Sequence, residues 1–303
     1  KLNFWDRNAA LNFSKEKNWT WGQARELVLE SYFDFSPTLA DIGKSFFTNE
    51  WIDALPKNGK VSGAFSHPTI PSAHPYILLN FYGKNRDVMT LAHELGHGIH
   101  QVLAAEQGFL LSDTPLILAE TASVFGEQLV FQTLLKNISD ANEKKDILSA
   151  KIEDIINTVI RQISFFDFER KIHMRRRETE LTKDEISKLW IQTQQDSLGD
   201  AFQLDSQYSN YWCYISHFVH TPFYVYSYAF GDSLVNSLFQ VYKNESEGFE
   251  GKYLELLRSG GSKNYRELIG MFNLDASNDD FWDNGLKVVE NLIDDLVNVE
   301  VEA

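Results

Sequence analysis

The pattern of apolar and polar residues along the chain predicts a mainly α-helical protein. In most segments the apolar residues recur at spacings of three and four, as one face of a helix requires. The predicted helices span 21–33, 37–48, 87–105, 115–136, 143–180, 183–198, 222–242, 249–258, 264–271 and 284–299. Two short runs at 61–66 and 76–81 predict strands, and the prolines between them favour a loop. We therefore expect a small β-sheet beside the helix at 87–105.

The helix predicted at 87–105 carries two histidines that are four residues apart. His93 and His97 share one helix face and can both bind one metal ion. Glu94 is rotated from His93 by about 100°, so its carboxylate can reach an activated water instead of the metal. This H-E-x-x-H pattern supplies two neutral nitrogen ligands, an open coordination position and a base. The alternative is a buried helix whose histidines only form hydrogen bonds.

The residues around this motif predict how the helix begins and packs. Asp87 is expected to be the N-cap, because its side chain can accept a backbone hydrogen bond from the first turn. Gly96 and Gly98 interrupt the helix, where glycine costs up to about 1 kcal/mol relative to alanine. Two glycines around the second histidine indicate that another segment approaches the helix closely there.

Catalytic zinc usually needs a third protein ligand. The longer metzincin pattern is excluded, because it requires glycine and histidine where this chain has His100 and Leu103. Glu120 lies among apolar residues in the helix predicted at 115–136, and a buried carboxylate there needs a cationic partner. We expect Glu120 to be the third ligand; the alternative is a surface glutamate. Glu127, two turns further on, is expected either to orient a ligand histidine or to be solvated.

A tyrosine-rich segment far along the chain supplies candidate oxyanion donors. Thr221 and the proline after it predict an N-cap and a first helical residue. In a helix that begins there, Tyr224 and Tyr228 share one face and Tyr226 points elsewhere, while His217 lies in the approach to the helix. Tyrosine hydroxyls and a histidine N–H can stabilise the oxyanion that amide hydrolysis creates. The alternative is a tyrosine-rich core helix.

Together these segments resemble the M3 family of zinc oligopeptidases, most closely its oligoendopeptidase F branch. The resemblance is carried by HELGHGIH at 93–100, AETASVFGE at 119–127 and SHFVHTPFYVYSYAFG at 216–231, and it runs through nearly the whole chain. It implies a mainly α, zincin-like metallopeptidase catalytic domain that hydrolyses internal bonds of short peptides with one zinc ion.

The resemblance also implies roles for individual residues. Its zinc ligands would be His93, His97 and Glu120. Glu94 would be the general base, and His217 and Tyr224 would stabilise the oxyanion. Tyr226 and Tyr228 match the same segment, with Tyr228 a second catalytic candidate and Tyr226 a candidate for substrate binding. Which tyrosine reaches the substrate stays open.

The predicted sheet offers a way to bind a peptide main chain. An exposed strand edge beside the metal helix can pair with an extended peptide without reading every side chain. Gly63 and Ala64, in the strand predicted at 61–66, would let the peptide approach. The alternative is an ordinary strand whose small residues serve packing.

Charge and composition exclude several other classes of protein. The 303 residues include 43 acidic and 28 basic ones, for a net charge of −15. Such a field repels nucleic acid, and no apolar run approaches the roughly 18 residues that a membrane span needs. Cys213 is the single cysteine, so it cannot form an internal disulfide, and we expect a packed core thiol.

A catalytic domain is expected over 1–303, built as one large domain or as two closely packed lobes, because no glycine-rich or proline-rich linker divides the chain. Proteins of the resembled family are longer, so the sequence looks like a C-terminal catalytic portion that lacks an N-terminal helical region. The resemblance also implies a cytoplasmic location. Two alternatives share the same residues, namely a helical zinc carboxypeptidase and a catalytically silent peptide-binding module. The oligomeric state is not predicted.

Overall fold

The computed structural model describes residues 1–9, 11, 13–14 and 17–299, and these are mostly helical. The α-helices are α1 (Trp21–Phe35), α2 (Pro37–Thr48), α3 (Asn85–Ala104), α4 (Leu116–Ala119), α5 (Thr121–Asn137), α6 (Ala141–Ile155), α7 (Arg161–Arg176), α8 (Lys183–Leu198), α9 (His217–His220), α10 (Tyr226–Asn244), α11 (Phe249–Arg258), α12 (Tyr265–Gly270) and α13 (Asp279–Val297). A π-helical turn covers Ile156–Ile160, and the longest 3-10 helix covers Tyr208–Tyr214. The expected mainly α fold is confirmed.

The strands of the described residues are short. They are β1 (Leu2–Asn3), β2 (Ile52–Asp53), β3 (Phe65–His67), β4 (Tyr76–Leu78) and β5 (Phe202–Gln203). In one sheet β4 lies in the middle, parallel to β2 and antiparallel to β3, so β3 is an edge strand. The other sheet is the parallel pair of β1 and β5.

The described residues form two compact units. The first unit takes its residues from 1–12 and 149–230, and the second takes them from 13–148 and 231–303. The second unit therefore contains the three-stranded sheet and the helix that carries H-E-x-x-H. The first unit contains the segment with His217 and the tyrosines.

Helix α3 lies at the centre of the second unit. It packs against α1, α2, α5 and α11, and against the sheet through β3 and β4. Leu91, Leu95 and Ile99 form its fully buried stripe, which explains why the three-and-four spacing predicted this helix correctly. The small sheet expected beside the metal helix is present.

The first unit has its own core, built on α7 and α8. Phe165, Phe168 and Trp190 are buried in it, with Tyr208 against the indole. The Trp190 Nε1–H donates to the Tyr208 carbonyl oxygen at 3.0 Å, so the buried indole keeps a hydrogen-bond partner.

The predicted cap of α3 is wrong by one turn. The helix begins at Asn85, and Asp87 is its third residue. From there the Asp87 carboxylate accepts the N–H groups of Lys84 at 2.9 Å and Tyr82 at 2.7 Å. An acidic side chain in the first turn also interacts favourably with the helix dipole.

The strand prediction at 61–66 is also largely wrong, because β3 begins only at Phe65. Gly63 has φ +90°, a conformation that a strand does not contain. The Asn80 side-chain amide donates to the carbonyl oxygens of Val61 and Gly63. Gly63 and Ala64 therefore lie in the loop that leads into the edge strand, and the strand predicted at 76–81 ends at Leu78.

The loop before β3 is fixed from inside by a lysine. The Lys60 side chain is 2% exposed. Its ammonium donates to the carbonyl oxygens of Asp53, Leu55 and Leu79 at 2.7–3.1 Å, and also to the Asp53 carboxylate. Buried charge is retained only where such partners exist.

The segment before α10 differs from the prediction. A helix was expected from residue 222, yet α10 begins at Tyr226 and the short α9 precedes it. Phe223 adopts φ +61°, which no residue of a right-handed helix has. Cys213, expected to be a core thiol, is exposed. It lies in the 3-10 helix at Tyr208–Tyr214, an element the apolar spacing did not indicate.

None of the helices in the described part of the chain combines the length and the apolar character that crossing a membrane requires.

Candidate metal centre

Helix α3 presents both motif histidines on its partly open face. The side chains of His93 and His97 are 27% and 20% exposed, whereas Glu94, one residue along, is buried. The two imidazole Nε2 atoms are 3.1 Å apart. They are therefore close enough to bind the same ion.

Glu120 brings its carboxylate to the same point from a break between two helices. It lies between α4 and α5 with φ −84° and ψ 1°, in the bridge region where helices break and many active-site residues lie. The continuous helix predicted at 115–136 is therefore wrong at the residue that matters most. Its Oε2 atom is 3.4 Å from the Nε2 atoms of His93 and His97.

These three atoms fit one tetrahedral metal ion. Zinc binds nitrogen and oxygen at about 2.0–2.1 Å, which places neighbouring tetrahedral ligands about 3.3 Å apart. The observed separations are 3.1, 3.4 and 3.4 Å. Among the residues that the structure describes, His93, His97 and Glu120 alone form such a group of three or more possible ligands.

Glu127 contacts one of the two motif histidines. Its Oε1 atom lies 2.5 Å from His93 Nδ1, so the other ring nitrogen faces Glu120 and His97. Burial would lower the pKa of His93, but the hydrogen bond and charge of Glu127, with smaller contributions from Glu120 and Glu94, raise that pKa to about 9. The contact expected between Glu127 and a motif histidine is present, and the low exposure of the Glu127 side chain excludes the solvated alternative.

The Glu120 carboxylate is held in its ionised form. Burial would raise the pKa of Glu120, but the hydrogen bond and charge of His97, the charge of His93 and a hydrogen bond from Ser123 lower that pKa to about 2. The Ser123 Oγ–H donates to Glu120 Oε2 at 2.9 Å. At neutral pH the carboxylate is thus ready to bind a cation.

Glu94 differs from the other glutamates of the site. It is 6% exposed, and its buried Oε2 atom has no hydrogen-bond partner. Burial raises the pKa of Glu94, with Glu120 and Glu127 adding to the shift and the two histidines opposing it. The His93, His97 and Glu120 side chains form a triangle of possible metal ligands. A buried carboxylate with an unpartnered oxygen beside this triangle has the chemistry of a proton acceptor.

His100 does not join the triangle. It is 3% exposed, and its Nε2 lies 3.3 Å from Thr114 Oγ1. Burial, with a smaller contribution from the charge of His97, lowers the pKa of His100 to about 3. This histidine is therefore a neutral core residue.

Glycines allow α3 and α5 to approach closely enough to assemble the site. A Cβ on Gly96 would lie 2.4 Å from the Ala122 carbonyl oxygen, and one on Gly126 would overlap the Tyr32 hydroxyl. On the other side of α3, a Cβ on Gly98 would lie 2.7 Å from the Phe46 ring. The close approach predicted from the two glycines of the motif is confirmed.

The sequence patterns did not predict two residues that contact Glu120. Besides Ser123, Gly231 packs against this side chain, where an added Cβ would lie 3.0 Å from Glu120 Cβ. A serine three residues after a ligand glutamate on a helix can be anticipated from spacing. No local pattern links Gly231 to a residue more than a hundred positions earlier.

The first unit brings His217 together with two tyrosines. The ring centroids of His217 and Tyr224 are 5.5 Å apart and those of Tyr224 and Tyr228 are 5.3 Å apart. Tyr228 Oη lies 3.4 Å from His217 Nε2. Tyr224 lies in the loop before α10, so it meets Tyr228 by a turn in the chain and not by helical spacing.

Tyr226 points away from this group, as expected. Its ring contacts Phe166 at 5.7 Å, and the residue is 38% exposed. The direction predicted for Tyr226 relative to its neighbours is therefore correct, although α10 begins at this residue instead of four positions earlier.

A mainly helical fold with H-E-x-x-H on one helix and a possible glutamate ligand before the next defines a zincin-like metallopeptidase domain. The family model described as Peptidase family M3 matches residues 32–288. The chain belongs to that family.

Curated relatives are longer than this chain. Oligopeptidase PepF of Bacillus subtilis (strain 168) is 28% identical over 279 residues, which are 91% of this chain and 41% of that protein. An oligoendopeptidase F homologue of Lactococcus lactis subsp. lactis (strain IL1403) is 32% identical over 255 residues, or 84% and 42% of the two chains. The chain thus spans about two fifths of these relatives.

Solved structures share the fold. One from Chlamydophila abortus has a TM-score of 0.85 and 30% identity, and the match covers 99% of this chain and 50% of that one. The oligoendopeptidase-F from Enterococcus faecium has a TM-score of 0.71 and 20% identity, with 99% and 46% covered. The second likeness shows the fold alone.

Proposed function

We propose that this chain is the catalytic portion of a zinc-dependent endopeptidase that hydrolyses internal bonds of short peptides. The observation that carries the proposal is the triangle formed by His93, His97 and Glu120, beside the buried carboxylate of Glu94, whose Oε2 atom has no hydrogen-bond partner. The names of the curated relatives, oligopeptidase and oligoendopeptidase, support the substrate class.

The ligand set supports zinc as the metal and indicates its part in the reaction. Two imidazoles and one carboxylate are the ligands of zinc in many hydrolases. When bound, zinc supplies a water of lowered pKa and a positive charge beside the scissile carbonyl. Glu127 keeps the His93 ring in the orientation that this binding needs.

Glu94 moves the proton. Its carboxylate takes a proton from the attacking water and delivers it to the leaving amine when the C–N bond breaks. Burial raises the pKa of Glu94, and a higher pKa makes a carboxylate a stronger base for the first of these steps. Glu94→Gln is therefore expected to keep the metal and lose turnover.

His217 and Tyr224 are proposed to stabilise the tetrahedral oxyanion, with Tyr228 as the second candidate. This assignment rests on the family motif at 216–231. Fixed N–H and O–H donors stabilise charge that develops in the transition state, so Tyr224→Phe should lower kcat more than it changes peptide binding. A loss confined to Tyr228→Phe would transfer the role to Tyr228.

The edge strand β3 is proposed to pair with the extended peptide main chain, with Gly63 and Ala64 in the loop before it and Tyr226 as further contacts. Strand addition binds a backbone without reading each side chain, which suits broad specificity. The location expected from the resemblance, the cytoplasm, stays a prediction for cell fractionation to check.

The test is cleavage of a quenched fluorescent peptide that is blocked at both ends. The protein is stripped with a chelator, zinc is restored, and the wild type is compared with Glu94→Gln and Glu120→Ala. We expect zinc-dependent internal cleavage by the wild type, a zinc-loaded inactive Glu94→Gln, and weak zinc binding by Glu120→Ala.

Other outcomes would refute parts of the proposal. Cleavage only of peptides with a free C-terminus, one residue at a time, would indicate a carboxypeptidase. A zinc-loaded wild type that binds peptides without cutting them would indicate a silent binding module. Undiminished turnover by Glu94→Gln would remove Glu94 as the base.

A further inference from the structure

A buried glutamate on α7 has no place in the proposed reaction. Glu169 is 3% exposed, and its Oε1 atom accepts the Phe223 N–H at 2.8 Å. Its Oε2 atom is buried without a hydrogen-bond partner. Burying a carboxylate in this way is costly. The hydrogen bond from the Phe223 N–H is therefore expected to serve a purpose in the structure.

That contact falls on a strained residue. Phe223 has φ +61°, which is a true outlier for a bulky side chain because its Cβ crowds the backbone. Such a conformation persists only where the surroundings fix it. The Glu169 carboxylate fixes it by accepting the N–H of the same residue.

Helix α7 holds the Phe223 side chain as well as its backbone. The Phe223 ring lies 4.7 Å from the His173 ring and 6.3 Å from the Phe166 ring. His173 is one helical turn beyond Glu169. A single face of α7 therefore contacts both the backbone N–H and the ring of Phe223.

The turn at Phe223 determines where the next side chain goes. Tyr224 follows it directly and stacks near-parallel on His217, with an interplanar angle of 28°. In a helix running from residue 222, Tyr224 would leave the backbone in a different direction. The strained turn thus sets the geometry of the His217 and Tyr224 pair.

We propose that Glu169 is a positioning residue, whose buried carboxylate fixes the Phe223 turn and so holds Tyr224 against His217. The inference rests on the proposed function, because it gives this pair the task of meeting the oxyanion. Glu169 acts through the backbone of Phe223 and is not itself expected to touch the substrate.

The experiment compares Glu169→Ala with Glu169→Gln in the blocked-peptide assay, using the zinc-loaded protein. Alanine removes the acceptor of the Phe223 N–H, whereas glutamine keeps a carbonyl acceptor at the same distance from the backbone. A misplacement of about 1 Å can cost on the order of 100-fold, so we expect Glu169→Ala to lower kcat by about 10- to 100-fold. KM and zinc content should stay near the wild-type values, and Glu169→Gln should retain most of the turnover.

Asp167→Ala is the matched control. It removes a carboxylate from the same helix, but one that pairs with Arg170 and Lys171 at the surface. Melting curves of all variants show whether each is folded. We expect the control to keep the kcat of the wild type.

A second measurement covers the case in which Glu169→Ala folds poorly. Glycine adopts positive φ without strain, so in a Phe223→Gly background the turn needs less support from Glu169. We therefore expect the loss of kcat caused by Glu169→Ala to be smaller in that background than in the wild type, which a double-mutant cycle measures.

Three results would overturn the inference. These are an unchanged kcat in Glu169→Ala, an equal loss in the alanine and glutamine variants, and losses that simply add in the Phe223→Gly background. If the wild type cleaves and Glu94→Gln does not, such a result refutes the positioning role alone. If the zinc-loaded wild type does not cleave, the proposed function fails and this inference fails with it.

Discussion

Gly96 is a point of close approach between the metal helix α3 and α5, and Gly96→Ala tests how the site is assembled. The new Cβ would lie 2.4 Å from the Ala122 carbonyl oxygen and 2.7 Å from Ser123 Cα. Ordinary contacts begin at 3.4 Å, so the two helices must separate locally by about 1 Å. Both obstructing atoms belong to the backbone, which cannot move aside as a flexible side chain can.

The separation acts directly on the proposed metal ligands. His93 and His97 lie on α3, whereas Glu120 directly precedes α5. Metal sites tolerate deviations of about 0.2 Å in ligand distances, several times less than the expected shift. Changes that only disturb ligand orientation already cost about 10- to 100-fold in metal affinity. We expect a loss of at least that size, together with about 1–3 kcal/mol of folding free energy from overpacking.

The assay is competition for zinc with a chromophoric chelator, combined with urea unfolding of the metal-free protein. Gly251→Ala is the control, because this glycine lies in α11 and an added Cβ there meets nothing within 4 Å. We expect the control to bind zinc as the wild type does. Wild-type zinc affinity in Gly96→Ala would refute the argument that the glycine sets the distance between the helices.

Three further predictions follow from other contacts. Glu127→Gln should weaken zinc binding by about 10- to 100-fold, because a neutral acceptor orients His93 less strongly; chelator competition measures this. His100 is neutral in the fold, since its pKa falls to about 3, and protonation therefore favours the unfolded state. The unfolding free energy of the metal-free protein should fall by up to about 1.4 kcal/mol per pH unit below pH 6.5. Urea titrations at several pH values measure this free energy, and in His100→Phe it should depend less steeply on pH. Lys60→Met should cost about 3–5 kcal/mol, because it leaves the carbonyl oxygens around its buried ammonium without their charged donor; thermal unfolding should show almost no change for the exposed Lys57→Met.

The three residues of the candidate metal centre were predictable because each depends on local rules. The four-residue spacing of His93 and His97 on a helix fixes their common face, and apolar neighbours identify Glu120 as a carboxylate that needs a cation. What spacing could not give is the break at Glu120 itself. The backbone leaves the helix there with ψ near zero, just before α5 begins and packs against α3.

The tyrosine segment shows why other predictions failed. The proline after Thr221 is a good helix start by local rules, yet the chain makes a turn at Phe223 and begins α10 at Tyr226. The partner that holds this turn is Glu169, 54 residues earlier. An interaction at that distance in sequence leaves no periodic signal near Phe223. The strand prediction at Gly63 was wrong for a similar reason, because the side chain of Asn80, 17 residues later, donates to the Gly63 carbonyl oxygen in a loop.

The charges of the centre link metal binding to folding. Three glutamates, Glu94, Glu120 and Glu127, act on the pKa of His93 in largely buried surroundings. Like charges brought together out of water destabilise a fold unless a cation offsets them, and the Glu120 carboxylate is ionised at neutral pH. A divalent ion that binds only the folded state stabilises it by mass action. In this site the ion would also offset the repulsion between the glutamate carboxylates. We therefore expect chelation to lower the melting temperature of the wild type. Glu120→Gln removes one of the charges and one of the proposed zinc ligands, so we expect it to show a smaller drop; an equal drop in both would mean that Glu120 does not couple the metal to the fold.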